Sequence, residues 1–170
     1  MTTPPLYAPW RIDYIKSLHK PDDNAACFLC AAAAAETDEQ RRQTLTLWQT
    51  QHMVVLLNRY PYTNGHLLVA PRQHKGELDQ LTPDEQADLT KQTAEAVALL
   101  RRAVSAQGFN VGINLGRVAG AGVPGHLHQH VVPRWAGDVN FMGVVGEVQI
   151  VPQAMSQLYE ELVQVRLRTA

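Results

Sequence analysis

Three histidines alternate within the short run Gly125-His126-Leu127-His128-Gln129-His130-Val131-Val132-Pro133, and no other stretch restricts the fold so tightly. Successive side chains of a β-strand point to opposite faces. A strand here therefore lines His126, His128 and His130 along one face and Leu127, Gln129 and Val131 along the other. Neighbouring imidazoles on that face stand roughly 7 Å apart. That spacing can hold a nucleophile or a metal ligand at each position, and is too wide for all three to share one ion on an undistorted strand. The competing reading is a histidine-rich tract that binds metal adventitiously, and the residues flanking the run weigh against it.

What can surround such a strand is bounded by composition. A chain of 170 residues with 45% hydrophobic content forms one domain able to bury its own core. With 15 basic and 16 acidic residues the formal charge is −1, which gives no basic footprint for duplex nucleic acid and fits a small anionic ligand held by local groups. No run of 18 apolar residues occurs. Met1-Thr2-Thr3-Pro4-Pro5 lacks the charged and apolar parts of a signal peptide. The expectation is a soluble, cytoplasmic protein that does not contact membranes.

In chain order, a proline-containing arm over residues 1–26 carries the aromatic cluster Tyr7-Ala8-Pro9-Trp10-Arg11-Ile12-Asp13-Tyr14, read as an extended segment covering the core or a partner. Cys27 and Cys30, separated by two residues, are poorly placed to staple a fold and well placed to start a metal site or a redox motif. The alanines from Ala31 to Ala35 favour a short helix. Strands are expected over 43–49, 52–58 and 66–70, with Pro61 and Asn64-Gly65 punctuating the loop between the last two. Thr82-Pro83-Asp84-Glu85 reads as a capping box opening a helix to about Ala106, ended by Gly108. A strand from Phe109 to Asn114 leads through the glycine-rich loop Gly116–Gly122 into the histidine strand, and a last helix begins near Pro152. Hairpin-paired strands with a long helix inserted between them predict an α+β domain with an antiparallel sheet. The expected core is residues 27–142, with 143–170 packed on it as a C-terminal extension.

His126-Leu127-His128-Gln129-His130-Val131-Val132 resembles the His-x-His-x-His signature of the histidine triad family of nucleotide hydrolases and transferases. Asn58-Arg59-Tyr60-Pro61 through Gly65-His66-Leu67-Leu68-Val69-Ala70-Pro71 is similar to that family's nucleoside-binding hairpin. Ala8-Pro9-Trp10-Arg11, Asn114 to Gly122, and Pro133-Arg134-Trp135 to Asn140-Phe141-Met142 further resemble the actinobacterial diadenosine tetraphosphate phosphorylase branch. The resemblance implies a homodimer of the histidine triad fold that transfers a nucleotidyl group through a covalent intermediate on His128. Elementary chemistry agrees, because an imidazole with a pKa near 6.5 is largely unprotonated and nucleophilic at neutral pH. His130 is expected to donate to the phosphate or the leaving oxygen.

The resemblance also assigns Asn58 to ribose, against the alternative of a loop cap, and Asn114 to ribose or phosphate. His66 matches the family's additional histidine. Glycines such as Gly120 and Gly122 let backbone N–H groups approach a phosphate. At position 122 many of the family's hydrolases carry a polar side chain, and the glycine here favours phosphorolysis of diadenosine tetraphosphate to ATP and ADP. Hydrolysis of dinucleoside polyphosphates or adenosine phosphoramidates to AMP is the alternative. Cys27 and Cys30 need two more ligands for a tetrahedral zinc site. His74 and His126 are available, and some branches of the family bind structural zinc with this set. A metal-free thiol pair competes with that reading. Two other classes stay open, a nucleotide-binding signalling module without turnover and a zinc-dependent interaction protein.

Overall fold

The computed structural model describes residues 27–138 and 153–168. The aromatic arm, the Asn140-Phe141-Met142 tail and the start of the expected last helix at Pro152 lie outside the described residues. Helices α1 (Phe28–Ala33) and α2 (Asp38–Thr44) lead into strands β1 (Thr46–Gln49), β2 (Met53–Leu57) and β3 (Leu67–Pro71). Helix α3 (Pro83–Ala103), strands β4 (Gly108–Ile113) and β5 (Gln129–Arg134), and helix α4 (Met155–Leu167) follow. The strands form one sheet in the order β1-β2-β3-β5-β4, with every neighbouring pair antiparallel. This is the α+β architecture expected, with α3 inserted between two strands. Among the described residues no helix is long and apolar enough to cross a membrane.

Local chemistry sets the boundaries. The Thr82 hydroxyl accepts from the Glu85 N–H while the Glu85 carboxylate accepts from the Thr82 N–H, so α3 begins with two of its orphan donors satisfied. Asp84 and Glu85 in its first turn and Arg101 and Arg102 in its last complement the helix dipole. The helix ends at Ala103, earlier than expected, because Val104 leaves helical geometry and Ser105 takes a left-handed φ of 51°. Gly108 therefore opens β4 instead of closing the helix. The strand expected over 43–49 is shortened from its start for a similar reason. Thr37 and Gln40 form a capping box that starts α2, which runs through Thr44 to a left-handed Leu45 before β1 begins. A second capping box, here Thr-x-x-Gln, thus overrode the β-branched residues nearby.

The pleat divides the core. Met53, Val55, Leu57, Leu67, Val69 and Val131 face α3 and α4, where they meet Leu89, Leu99, Leu100, Leu158 and Leu162. Val54, Leu56, Leu68 and Ala70 point the other way, against Leu29, Ala32 and Ala33 of α1. Burying one such leucine contributes roughly 1.5–3 kcal/mol. Helix α4 is tied down further by the Tyr159 hydroxyl donating to the Thr46 carbonyl and by Arg166 lying 4.5 Å from the centre of the Trp48 ring. Trp48 in turn donates to the buried Gln92 of α3.

Candidate active site and metal centre

The register of β5 decides where the histidines go. His130 pairs with Leu68 on one side and Gly112 on the other. Residues directly opposite in a sheet share a face, so the His130 ring stands on the α1 side. Gln129 stands on the other, where its amide donates to Thr93 of α3. Gly112 contributes no side chain beside His130, and a Cβ there would meet nothing within 4 Å among the described residues. One flank of the imidazole is left open by this glycine.

The three histidines do not all lie on the strand, which corrects the expectation of one alternating row. Strand β5 starts at Gln129, so His126 and His128 sit in the segment leading into it. The bend separates their tasks. His126 turns to the cysteines, and His128 turns to His130 at a ring-centre distance of 5.1 Å.

Three imidazoles have a backbone neighbour that can only donate or only accept, and a fourth, His130, is paired with one of them. His128 Nδ1 lies 2.8 Å from the His126 carbonyl oxygen, which can only accept. Nδ1 therefore carries the proton, and Nε2 keeps its lone pair. His126 Nε2 donates to the Pro71 carbonyl at 2.8 Å, which leaves its Nδ1 unprotonated toward Cys27 and Cys30. His66 Nδ1 accepts from the Tyr62 N–H at 3.1 Å, and its Nε2 stands 2.9 Å from His130 Nδ1. Among the described residues the buried His130 Nε2 has no hydrogen-bond partner. Burial, reinforced by the neighbouring histidines, lowers His66 to about 3 and His130 to about 4. Burial also lowers His128, against the opposing pull of the His126 carbonyl. The rings are thus neutral at pH 7, which is the form a nucleophile needs.

The other predicted residues fall as follows. Asn58 is buried, accepts the Tyr60 N–H on Oδ1 and reaches His66 Nδ1 with Nδ2 at 3.2 Å, so its side chain serves the loop and His66 together. Asn114 is half-buried and donates to the Gly120 carbonyl at 3.5 Å. Gly120, at φ +89°, closes a turn in which its own N–H is used by the Arg117 carbonyl. Gly122 is half-buried, in the loop that precedes the histidines. Tyr62 went unremarked in the sequence although it lies inside the hairpin motif; its ring stacks on His130 at 5.7 Å and 20° and lies 4.7 Å from His66. Gly112 was equally legible in principle, through its period-two place in the Phe109–Asn114 strand.

Cys27, Cys30, His74 and His126 come together, with one ligand atom from each lying within 4.8 Å of all the others. Cys27 caps α1 and Cys30 lies in its first turn. The Sγ to Nδ1 distances are 3.3, 3.2 and 3.5 Å for Cys27–His126, Cys30–His74 and Cys30–His126. Tetrahedral zinc with ordinary bond lengths sets S···N at about 3.6 Å, so the donors fit the ion nearly as they stand. Burial and then the adjacent Cys27 push the Cys30 thiol up to about 11. A divalent cation supplies the charge that would deprotonate it. The carbonyl of Pro71 accepts from the far nitrogen of His126, as an imidazole holding a metal through Nδ1 would require.

The loop bearing His74 is clamped to the segment bearing His126. Leu127 N–H donates to the Lys75 carbonyl at 2.6 Å, and a Cβ on Gly76 would come within 3.0 Å of the Pro124 carbonyl oxygen. Lys75 Nζ reaches both carboxylate oxygens of the buried Glu85. Burial alone would raise the Glu85 carboxyl, but hydrogen bonds from Lys75 and Thr82 outweigh it and hold it low. The cap of α3 therefore anchors the loop that carries His74.

Comparison with known proteins accords with this geometry. Residues 39–137 match the family model described as HIT domain. Over 151 residues the chain is 35% identical to a Mycobacterium tuberculosis protein named AP-4-A phosphorylase, covering 88% of this chain and 77% of that one. It is 34% identical over 91 residues to the asymmetrical bis(5'-nucleosyl)-tetraphosphatase of Schizosaccharomyces pombe, covering 54% of this chain and 50% of that one. A zinc-bound histidine triad family protein from Mycobacterium smegmatis shares the fold, with a TM-score of 0.67 at 24% identity over 86% of this chain and 97% of the other. With the family model spanning more than half of its length and the long phosphorylase match beside it, this chain belongs to the HIT domain family.

Proposed function

We propose that this chain is a nucleotidyltransferase that cleaves diadenosine tetraphosphate by phosphorolysis, through a covalent intermediate on His128. The observation that carries the reading is the pair of nitrogens at the site: an unprotonated His128 Nε2 on a ring anchored by the His126 carbonyl, beside a buried His130 Nε2 with no partner among the described residues. The His128 Nε2 lone pair attacks the α-phosphorus. An N–P bond forms, and the bond from phosphorus to the bridging oxygen breaks, releasing ATP. The departing oxygen keeps the electron pair and receives a hydrogen bond from His130 Nε2–H. An oxygen of inorganic phosphate then attacks the adenylyl phosphorus, the N–P bond breaks back onto His128, and ADP leaves.

Relatives whose names denote a phosphorylase and a tetraphosphatase support dinucleoside polyphosphates as the substrate class. Phosphate is favoured over water as acceptor by Gly122, which leaves room where a polar side chain would reach the leaving group. Titrating inorganic phosphate against diadenosine tetraphosphate is expected to raise turnover with ADP and ATP as products. A rate indifferent to phosphate, with AMP formed, makes the enzyme a hydrolase instead.

Cys27, Cys30, His74 and His126 hold zinc in this reading. The ion contributes a cross-link between α1, the loop after β3 and the segment before β5, and takes no part in the chemistry. The active form is a homodimer joined along β4, one of the two edge strands of the described sheet, where Val111 is exposed. Sedimentation equilibrium is expected to give twice the chain mass, and a monomer at micromolar concentration removes this part of the reading.

A further inference from the structure

We propose that Asn58 and the Tyr62 amide act as a tautomer-setting pair: they fix the proton of His66 on Nε2, and through His66 they fix the proton of His130 on the nitrogen that faces substrate. The inference rests on the nucleotidyl-transfer reading for its purpose, and on hydrogen-bond polarity alone for its structure.

The polarity starts from two groups that can only donate. The Tyr60 N–H lies 3.0 Å from Asn58 Oδ1, which orients the amide and leaves Nδ2 to point at His66 Nδ1, 3.2 Å away. The Tyr62 N–H points at the same His66 nitrogen from 3.1 Å. A nitrogen receiving two N–H donors bears no proton, so the single proton of neutral His66 sits on Nε2. That Nε2 is 2.9 Å from His130 Nδ1 and donates to it. His130 Nδ1 is thereby an acceptor, and the proton of His130 must sit on Nε2, the buried atom left without a partner among the described residues. Each step follows from the one before. The chain begins in the backbone of the 58–66 loop and ends on an N–H that has no acceptor among the described residues.

The reverse tautomer would present a lone pair to a phosphate oxygen, replacing an attractive contact by a repulsive one at the atom where charge develops. The Tyr62 ring supports the arrangement by stacking on His130 and packing tilted against His66, which restrains both imidazoles. Asn58 is in this light a positioning residue. Its side chain is 9% exposed, with Oδ1 accepting from the Tyr60 N–H and Nδ2 directed at His66 Nδ1.

The test reads proton positions directly. In two-bond 1H–15N correlation spectra of the zinc-loaded, substrate-free protein at pH 7, His66 and His130 are both expected as Nε2–H tautomers, assigned with His66→Asn and His130→Asn. Asn58→Asp keeps the shape and replaces the donor with an acceptor, so the His66 Nδ1 signal is expected to move to the protonated position. In the same variant kcat with diadenosine tetraphosphate is expected to fall at least about tenfold, within the range that positioned acid groups contribute, while KM stays within about threefold. An Nδ1–H tautomer at His66 or His130 in the unsubstituted protein overturns the proposal. So does an Asn58→Asp variant whose histidine signals are unmoved and whose only defect is a raised KM, the signature of a ribose contact. Absence of turnover in the unsubstituted protein would remove the reaction while leaving the tautomers to be judged on their spectra.

Discussion

Replacing His128 with glycine or asparagine is expected to lower turnover of diadenosine tetraphosphate by three or more orders of magnitude, on the order of the loss that follows removal of a required nucleophile. The size of the effect follows from the surroundings. His130 Nδ1 is occupied by His66, and its Nε2 carries a proton, so it has no free lone pair to attack with. His126 spends Nε2 on the Pro71 carbonyl and turns Nδ1 to the cysteines. Among the described residues no neighbouring imidazole can take over. Nucleotide binding is expected to persist, since the substitutions leave the 58–66 hairpin and the glycine loop in place. Single-turnover assays with denaturing gels should show labelled adenylyl-protein in the parent and none in the variant. Activity above about a tenth of the parent's would rule out His128 as the nucleophile.

Removing one ligand of the metal cluster is expected to produce the largest change in stability. Freshly purified protein should contain about one zinc per chain, and Cys27→Ser should lower the melting temperature by roughly 10 °C. That shift corresponds to about 3 kcal/mol for a domain of this size. Zinc-finger peptides, which have no other core, draw about 10–16 kcal/mol from their metal. The described residues also form two apolar clusters, only one of which packs against a ligand, Cys27, so the expected loss is smaller. What it would lose is the tie between α1, the His74 loop and the segment before β5. Activity should fall less than in the His128 variants, because the His126 carbonyl that holds His128 stays in the chain. Metal analysis finding no zinc in unchelated protein would refute the site. A variant that binds no zinc yet melts with the parent would refute its structural role.

Much of this was legible in the residues themselves. The capping box at Thr82, the apolar spacing behind it and the Asn64-Gly65 punctuation are local signals, and they located α3 and the β2–β3 hairpin within a few residues. The histidine triad, the two cysteines and His66 could be singled out because their side-chain chemistry is scarce in ordinary cores. Where strong signals overlapped, the local reading failed. The β-branched residues near Thr44 suggested a strand, and the Thr37–Gln40 cap claimed the first part of that segment for α2.

What the sequence could not determine were distances and proton positions, since both depend on groups far apart in the chain. Period-two alternation put three imidazoles on one face, and only the bend before Gln129 showed that His126 serves the cysteines while His128 and His130 meet. Cys30 and His74 are 44 residues apart, Cys27 and His126 are 99, and packing of α1 against Leu56, Leu68 and Ala70 brings them within bonding range of one ion. The nitrogen that carries each proton is set by the Pro71 and His126 carbonyls and by the Tyr62 N–H. Every residue type has the carbonyl and all but proline the N–H, so no pattern of side chains announces them. Their positions exist only once the sheet has closed around them.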